Sequence, residues 1–155
     1  MTDPVAGDAA PAIALPGDDE TTYDLSAMAG QNVVVYFYPK DDTPGCTKEA
    51  IGFTEKVKDF ADANTVVWGI SKDTVAKHGK FRAKYELGIP LLSDADGDVC
   101  ERYGTWVEKK MYGKTYMGIE RATYLIDASG NIAEVWRKVK VPGHVDAVLE
   151  AAQKL

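Results

Sequence analysis

The sequence predicts a single domain, residues 1–155, of the α/β class with a mixed central sheet flanked by helices. Two uninterrupted runs of β-branched and aromatic residues, 33–38 and 66–70, are typical of strands buried on both faces. Each run is followed by a segment whose apolar residues recur every three or four positions, the period of an amphipathic helix. With 155 residues, of which 45% are hydrophobic, the chain can bury one sizeable core.

The first predicted elements lie before the first buried run. Residues 1–10 are rich in Ala, Gly and Asp, and we expect them to be flexible. Residues 12–16 and 20–24 flank a turn at residues 17–19 and are predicted to form a short hairpin or a pair of edge segments.

The middle of the chain alternates strands and helices. A buried strand over residues 32–38 leads through a loop with two prolines and a glycine to Cys46, where helical periodicity begins. A second buried strand, 65–71, precedes a helix that Asp73 or Thr74 can cap and that ends near Tyr85. A short strand at 89–92 and a short helix at 96–103 follow. The apolar positions after Cys46 are Ala50, Phe53, Val57 and Phe60.

The last elements are a hairpin and a helix. Residues 119–126 and 131–138 are predicted strands joined by a turn at 127–130. The final helix begins at about His144, with Val145, Val148, Leu149 and Ala152 on one side. The order of strand, helix, strand, helix, strand, hairpin and helix is that of a thioredoxin-like domain.

Composition excludes several classes of function. A formal net charge of −6 gives no basic face for nucleic acid or an anionic membrane. No apolar run approaches the roughly 20 residues of a membrane span, and no secretory signal pattern opens the chain, so we expect a cytoplasmic protein. The two cysteines, Cys46 and Cys100, form neither a CxxC pair nor a zinc-site spacing, and no metal site is predicted.

Cys46 opens a predicted helix just beyond a buried strand. Free backbone N–H groups and the helix dipole at such a position favour the thiolate, which is the nucleophilic form of cysteine. A thiolate can attack the O–O bond of a hydroperoxide if donors hold both oxygens and stabilise charge on the leaving one. The Thr43 hydroxyl and the N–H groups of Gly45 and Cys46 can supply such donors, while Pro39 and Pro44 stiffen the loop.

A fixed positive charge must come from elsewhere in the chain. Arg121 is the leading candidate, because it begins a predicted strand that soon becomes apolar and would therefore lie at the end of the sheet. Glu49, one turn after Cys46, can orient that arginine through a bidentate pair. Each residue also has an ordinary structural reading, as a packed cysteine or a solvated arginine. The spacing of the whole loop favours the catalytic one.

That spacing is Pro-x-x-x-Thr-x-x-Cys, formed by Pro39, Thr43 and Cys46, and it resembles the active-site motif of the peroxiredoxins. The resemblance is specifically to the peroxiredoxin Q subfamily, also called bacterioferritin comigratory protein. It runs through almost the whole chain, in residues 36–41, 43–50, 91–94, 108–114, 121–127, 135–141 and 143–144.

The resemblance implies a thioredoxin-like fold and an antioxidant enzyme that reduces hydrogen peroxide and organic hydroperoxides without a metal or organic cofactor. It implies that Cys46 is the peroxidatic cysteine, with Pro39 and Thr43 as its motif partners and Arg121 as the active-site arginine. Glu49 falls where the subfamily often has a glutamate. Most members of the subfamily are monomers, and we expect the same here.

The second cysteine is where this sequence departs from the resemblance. Attack leaves a sulfenic acid on Cys46 that a thiol must reduce. At the positions where subfamily members carry a resolving cysteine, this chain has Ile51 and Arg82. Cys100 would need its Cα within about 7 Å of that of Cys46 to form a disulfide, and we interpret it as a packing residue.

We therefore predict a one-cysteine cycle in which an external thiol, from thioredoxin, glutaredoxin or glutathione, reduces the sulfenic acid. Two alternatives stay open. One is a two-cysteine cycle through a Cys46–Cys100 disulfide, and the other is a non-catalytic chaperone or binding module with a thioredoxin fold. Trp106, Tyr112 and Tyr116 form an aromatic patch that either lines the active-site mouth or packs a loop on the core.

Overall fold

The computed structural model describes residues 3–155. Its strands are β1 (Ala14–Pro16), β2 (Thr22–Asp24), β3 (Asn32–Phe37), β4 (Thr65–Ser71), β5 (Leu91–Ser93), β6 (Trp106–Met111), β7 (Lys114–Ile119), β8 (Ala122–Ile126) and β9 (Ile132–Trp136). Its α-helices are α1 (Pro44–Glu55), α2 (Val57–Asp62), α3 (Val75–Tyr85), α4 (Val99–Arg102) and α5 (His144–Gln153), and Leu25–Met28 is a 3₁₀ helix. None of the helices over residues 3–155 has the length and apolar character needed to cross a membrane.

The central sheet has five strands in the order β5-β4-β3-β8-β9. The β3–β4 and β4–β5 pairs are parallel, whereas β8 is antiparallel to both β3 and β9. Phe37, at the end of β3, pairs with Ala122, at the start of β8. The loop that leaves β3 therefore lies beside the chain that enters β8, and the mixed α/β class is confirmed.

Two apolar cores cover the two faces of this sheet, because side chains alternate along a strand. One core contains Val33, Val35 and Phe37 of β3 together with Cys100. The other contains Val34 and Tyr36 of β3 together with Cys46 and the buried side of α1. The two cysteines therefore pack on opposite faces of the sheet.

Several elements agree with the sequence-based predictions. Strand β4 has the predicted bounds. Strands β1 and β2 pair as an antiparallel hairpin, which is one of the two arrangements predicted for this segment. Thr74 caps α3 by accepting a hydrogen bond from the Lys77 N–H, and α3 ends at Tyr85. Helix α5 begins at His144, and Val148, Leu149 and Ala152 of its predicted apolar side are buried.

The helix after Cys46 is broken where we predicted continuity. Lys56, with φ −103° and ψ 5°, separates α1 from α2, and its N–H bonds to the carbonyl of Phe53, three residues back. The break shifts the phase of the helical pattern, so Val57 is 38% exposed rather than buried. Phe60 returns to the core.

A second difference is the hairpin formed by β6 and β7, which the sequence analysis did not predict. Tyr112 and Gly113 form its turn with φ values of 51° and 77°, the two positive angles of a type I′ turn. The predicted strand over 119–126 is consequently wrong at its start. Strand β7 ends at Ile119, and the Glu120 N–H bonds to the Thr105 carbonyl before β8 begins.

Six other elements differ from their predicted bounds by one to three residues at one or both ends. Strands β1, β2 and β3 are shorter than 12–16, 20–24 and 32–38, and β5, α4 and β9 are shorter or shifted relative to 89–92, 96–103 and 131–138. Before β1, Gly7 and Asp8 hydrogen-bond with Ile132, and the Ala10 N–H bonds to the Gly130 carbonyl. One domain with a flexible start at residues 1–10 stays a prediction, and Met1 and Thr2 lie outside the described residues.

Candidate active site

Cys46 lies in the first turn of α1, where the chain passes from an extended Thr43 into the helix at Pro44. Proline suits that first position, because its missing N–H would have no helical partner there. The Cys46 side chain is 1% exposed and packs in the core beneath α1. The reactive group of the site is therefore nearly shielded from solvent.

The Arg121 guanidinium contacts this sulfur directly. Its Nη2 atom lies 3.3 Å from Cys46 Sγ, and its Nη1 atom donates to Glu49 Oε1 over 2.6 Å. Arg121 stands immediately before β8, and its carbonyl accepts a hydrogen bond from the Val139 N–H. The structure thus brings together Cys46, Glu49 and Arg121.

Gly45 makes room for this arrangement. A Cβ atom at this position would lie 3.1 Å from Arg121 Nη2, which is tighter than most Cβ contacts. The sequence analysis assigned to Gly45 only its backbone N–H. Its missing side chain is a second contribution, because it lets the guanidinium reach the sulfur.

Thr43 and Pro39 lie in the loop and the helix cap that precede Cys46. The Thr43 hydroxyl donates to the Lys40 carbonyl over 2.9 Å, so this side chain closes the loop upon itself. Pro39, which follows Tyr38 in the sequence, is partly buried. Of the predicted site residues, Arg121 contacts the sulfur and Glu49 contacts Arg121.

Glu49 is fully buried, and only one of its oxygens is engaged. Oε1 accepts from Arg121, while Oε2 has no hydrogen-bond partner among residues 3–155. Burial raises the pKa of the Glu49 carboxyl to about 7, and the nearby Arg121 charge only partly opposes this rise. The Tyr36 hydroxyl nearby is likewise buried without a partner in the described chain.

The model of the AhpC/TSA family matches residues 6–135 of this chain. The chain belongs to that family. It is 45% identical over 149 residues to Peroxiredoxin Bcp of Bacillus subtilis, covering 96% of this chain and 95% of that one. It is 46% identical over 144 residues to Peroxiredoxin Bcp of Escherichia coli, covering 93% and 92%.

Solved structures give the same result. A Xanthomonas campestris peroxiredoxin Q variant superposes with a TM-score of 0.90 at 43% identity, covering 99% of each chain. The predicted membership in the peroxiredoxin Q subfamily, the enzyme class and the thioredoxin-like fold are therefore confirmed.

A buried hydrogen-bond network, which was not predicted from the sequence, anchors the loop before Cys46 in this peroxiredoxin. His78 Nδ1 lies 2.6 Å from Asp41 Oδ2, and His78 Nε2 lies 3.0 Å from the Leu92 carbonyl. The Tyr38 hydroxyl donates to Asp41 Oδ1 over 2.6 Å. The network joins the loop to α3 and β5, and no local sequence pattern marks it because its members come from separate segments.

Asp41, Asp73 and His78 of this peroxiredoxin place possible metal ligands within 4.8 Å of one another. Their polar atoms already have partners. Asp73 Oδ2 accepts from the Asp41 N–H and the Ser71 hydroxyl, and both His78 nitrogens are engaged. The cluster is therefore explained as a hydrogen-bond network, and the absence of a metal cofactor stays a prediction.

His144 lies behind the site of this peroxiredoxin. Its Nε2 atom lies 2.7 Å from the Thr123 hydroxyl, and the Phe53 and Trp136 rings pack against it edge-on. Burial, aided by the Arg121 charge, lowers the pKa of His144 to about 4. The ring is therefore neutral at pH 7 and has the contacts of a packing residue.

Cys100 has the environment of an inert thiol. It is fully buried on the other face of the sheet, and its N–H donates to Asp94 Oδ2 over 2.8 Å. Burial and the Asp94 charge raise the pKa of the Cys100 thiol well above its usual range. The folded peroxiredoxin separates the two cysteines by the thickness of its central sheet.

The aromatic residues Trp106, Tyr112 and Tyr116 do not form one patch. Trp106 lies beneath the Lys72 ammonium, 5.1 Å from the ring centroid, and Tyr112 is 97% exposed at the hairpin tip. Tyr116 pairs with Lys109, which puts it on the opposite face of the hairpin from Trp106.

Proposed function

We propose that this peroxiredoxin reduces hydroperoxides through Cys46 in a one-cysteine cycle. The observation that carries the proposal is the Arg121 guanidinium, which reaches Cys46 Sγ with one nitrogen while Glu49 holds the other. A cation in that position stabilises the thiolate and the negative charge that develops as the O–O bond breaks.

In this mechanism the Cys46 thiolate attacks one peroxide oxygen in line with the O–O bond. The S–O bond forms as the O–O bond breaks, which gives a sulfenic acid and an alcohol or water after the leaving oxygen gains a proton. The N–H groups of Gly45 and Cys46 are proposed to orient the peroxide as donors. The Thr43 hydroxyl, whose hydrogen is donated to the Lys40 carbonyl, is proposed to orient it as an acceptor. Pro39 limits the access of bulk water.

An external thiol then reduces the sulfenic acid through a mixed disulfide. The support for this step is the position of Cys100, which is buried on the face of the sheet opposite to Cys46. In Xanthomonas campestris peroxiredoxin Q, variants of two cysteines have been solved, and the spacing between those cysteines equals the spacing from Cys46 to Arg82 here. Thioredoxin, glutaredoxin and glutathione are the proposed reductants.

The substrate class includes alkyl hydroperoxides. A solved Xanthomonas campestris bacterioferritin comigratory protein, 43% identical to this chain, is described by its alkyl peroxide reduction activity. We further propose that the enzyme acts as a cytoplasmic monomer.

The test compares peroxide consumption, with dithiothreitol as reductant, by the wild type and by Cys46→Ser and Cys100→Ser variants. We expect the Cys46→Ser variant to lose turnover and the Cys100→Ser variant to keep it. After one equivalent of peroxide, mass spectrometry without reductant should show dimedone-trapped sulfenic acid on Cys46. A high yield of an intramolecular Cys46–Cys100 disulfide would disprove the one-cysteine cycle, and an inactive wild type would favour the binding-module alternative.

A further inference from the structure

Two acidic groups, the Cys46 thiol and the Glu49 carboxyl, share one cation, the Arg121 guanidinium. The Cys46 thiol contacts Arg121 Nη2, and the Glu49 carboxyl contacts Arg121 Nη1. If both acids were ionised, the buried group of three would carry an excess negative charge. If only one is ionised, it is electrically neutral.

Water cannot reach Cys46 and Glu49 to solvate that excess negative charge. Cys46 is 1% exposed and Glu49 is not exposed at all. Glu49 Oε2 has no hydrogen-bond donor within residues 3–155, so half of the carboxylate charge would lie unsolvated. Burying such a charge is costly, and a proton on Glu49 removes the cost.

The neighbouring elements add little compensating charge. Tyr36 of β3 and His144 of α5 are neutral at pH 7, because burial raises the pKa of Tyr36 and lowers that of His144. Lys109 of β6 acts on Arg121 and Cys46 but is partly exposed and therefore screened. Asp41 faces Tyr36 and adds no positive charge to the group.

We propose that Cys46 and Glu49 hold a single proton between them, with Arg121 balancing whichever of the two is ionised. Formation of the Cys46 thiolate then moves a proton to Glu49 instead of releasing it to the solvent. Glu49 is accordingly a positioning and proton-storing residue.

The consequence for the reaction rests on the proposed function. A Cys46 thiolate, a protonated Glu49 and ROOH give Cys46 sulfenic acid, ionised Glu49 and ROH. The sulfur loses its negative charge when it gains oxygen, and Glu49 becomes the negative partner of Arg121. The leaving oxygen gains one proton, and Glu49 releases one. Oxidation of Cys46 therefore takes up no net proton.

The test uses iodoacetamide, which converts Cys46 into an uncharged thioether and requires no peroxide chemistry. The thiolate fraction is measured from the ultraviolet absorbance lost on alkylation. The protons released are counted with an indicator dye in weak buffer, at a pH at least one unit above the pKa of about 7 that Glu49 has when no charge lies on the sulfur. The Cys46→Ser variant gives the background. We expect about one proton per alkylated Cys46 even where the thiolate fraction is large, because Glu49 ionises when the sulfur charge disappears.

Two variants complete the experiment. In Glu49→Gln, proton release should fall to the thiol fraction alone, whereas Glu55→Gln, an exposed glutamate on the same helix, should match the wild type. A wild type whose proton release equals its thiol fraction overturns the proposal even if Glu49→Gln fails to fold. Loss of peroxidase activity with the proton count intact would count against the proposed function instead.

Discussion

Gly45 and Arg121 compete for the same small volume beside the reactive sulfur. A methyl group at Gly45 would lie 3.1 Å from the guanidinium nitrogen that contacts Cys46, so that nitrogen would have to shift by a few tenths of an ångström. The site thus depends on a missing side chain as much as on those that are present.

The Gly45→Ala variant should therefore reduce the second-order rate constant for peroxide about 10- to 100-fold, equivalent to about 1.4–2.7 kcal/mol of transition-state stabilisation. Stability should hold, because alanine favours the helix more than glycine does. Stopped-flow peroxide reduction and urea unfolding measure the two effects. Gly79→Ala, where an added Cβ meets nothing within 4 Å, is the control. A Gly45→Ala enzyme with the wild-type rate would refute the steric argument.

The lowered pKa of His144 makes the free energy of unfolding depend on pH. Its pKa falls from 6.5 in the unfolded chain to about 4 in the fold, so the unfolded chain binds the extra proton between these values. The contribution is fully present above pH 6.5 and is lost as pH falls towards 4. Between pH 6.5 and pH 4 the wild type loses free energy of unfolding, and His144→Gln should lose about 1–3 kcal/mol less over the same range. Parallel pH profiles in urea experiments would reject the assignment.

The residues that meet at the candidate site could be predicted from the sequence, but the energetics of their contacts could not. Cys46 and its loop have a local spacing, and Arg121 could be placed because it precedes an apolar strand. The unpartnered oxygen of Glu49 and the network of Tyr38, Asp41 and His78 depend on how separate segments pack. No short pattern encodes such packing.

At the scale of elements, Arg82 fixes the end of α3. Its guanidinium pairs with Asp18 of the β1–β2 turn and donates to the carbonyls of Leu87 and Ile89, each over 2.5 Å. The Asp18 side chain is almost fully buried. The position that the sequence analysis marked for a missing cysteine therefore holds three segments together.

We expect Arg82→Gln to lower the free energy of unfolding by about 2–3 kcal/mol, because it leaves the buried Asp18 carboxylate without its partner. Urea denaturation measures the change. Lys80→Gln, an exposed change on the same helix, should alter stability by less than about 0.5 kcal/mol. Equal stabilities of the two variants would show that the Arg82 contacts contribute little.

Elements were predictable where burial dominates. Strands β3 and β4 are buried runs, so their pattern is continuous and their bounds are clear. The β6–β7 hairpin is mostly exposed, and its turn begins with Tyr112, a residue that seldom adopts positive φ. The sequence therefore shows neither a buried pattern nor a typical turn residue that would predict this hairpin.

At the scale of the whole molecule, residues 7–10 tie the N-terminal segment to β9 and to the turn before it. Deleting residues 2–9 should remove the Gly7–Ile132 and Asp8–Ile132 hydrogen bonds and lower the free energy of unfolding by about 1–3 kcal/mol. Among the residues that the structure describes, deleting residues 2–4 removes the partly exposed Arg137–Asp3 pair and should have little effect. Urea unfolding of both deletions tests this, and an unchanged stability of the longer one would support the flexible start expected from the sequence.

The pairing of Phe37 with Ala122 also has a kinetic consequence. Cys46 and Arg121 are far apart along the chain and meet only once β3 and β8 are paired, which is a contact of long sequence separation. During refolding, the rise in alkylation rate that the Arg121 charge confers on Cys46 should therefore come late, after the helices have formed. The alkylation rate of Cys46 during refolding would then report when the pairing of β3 with β8 is complete.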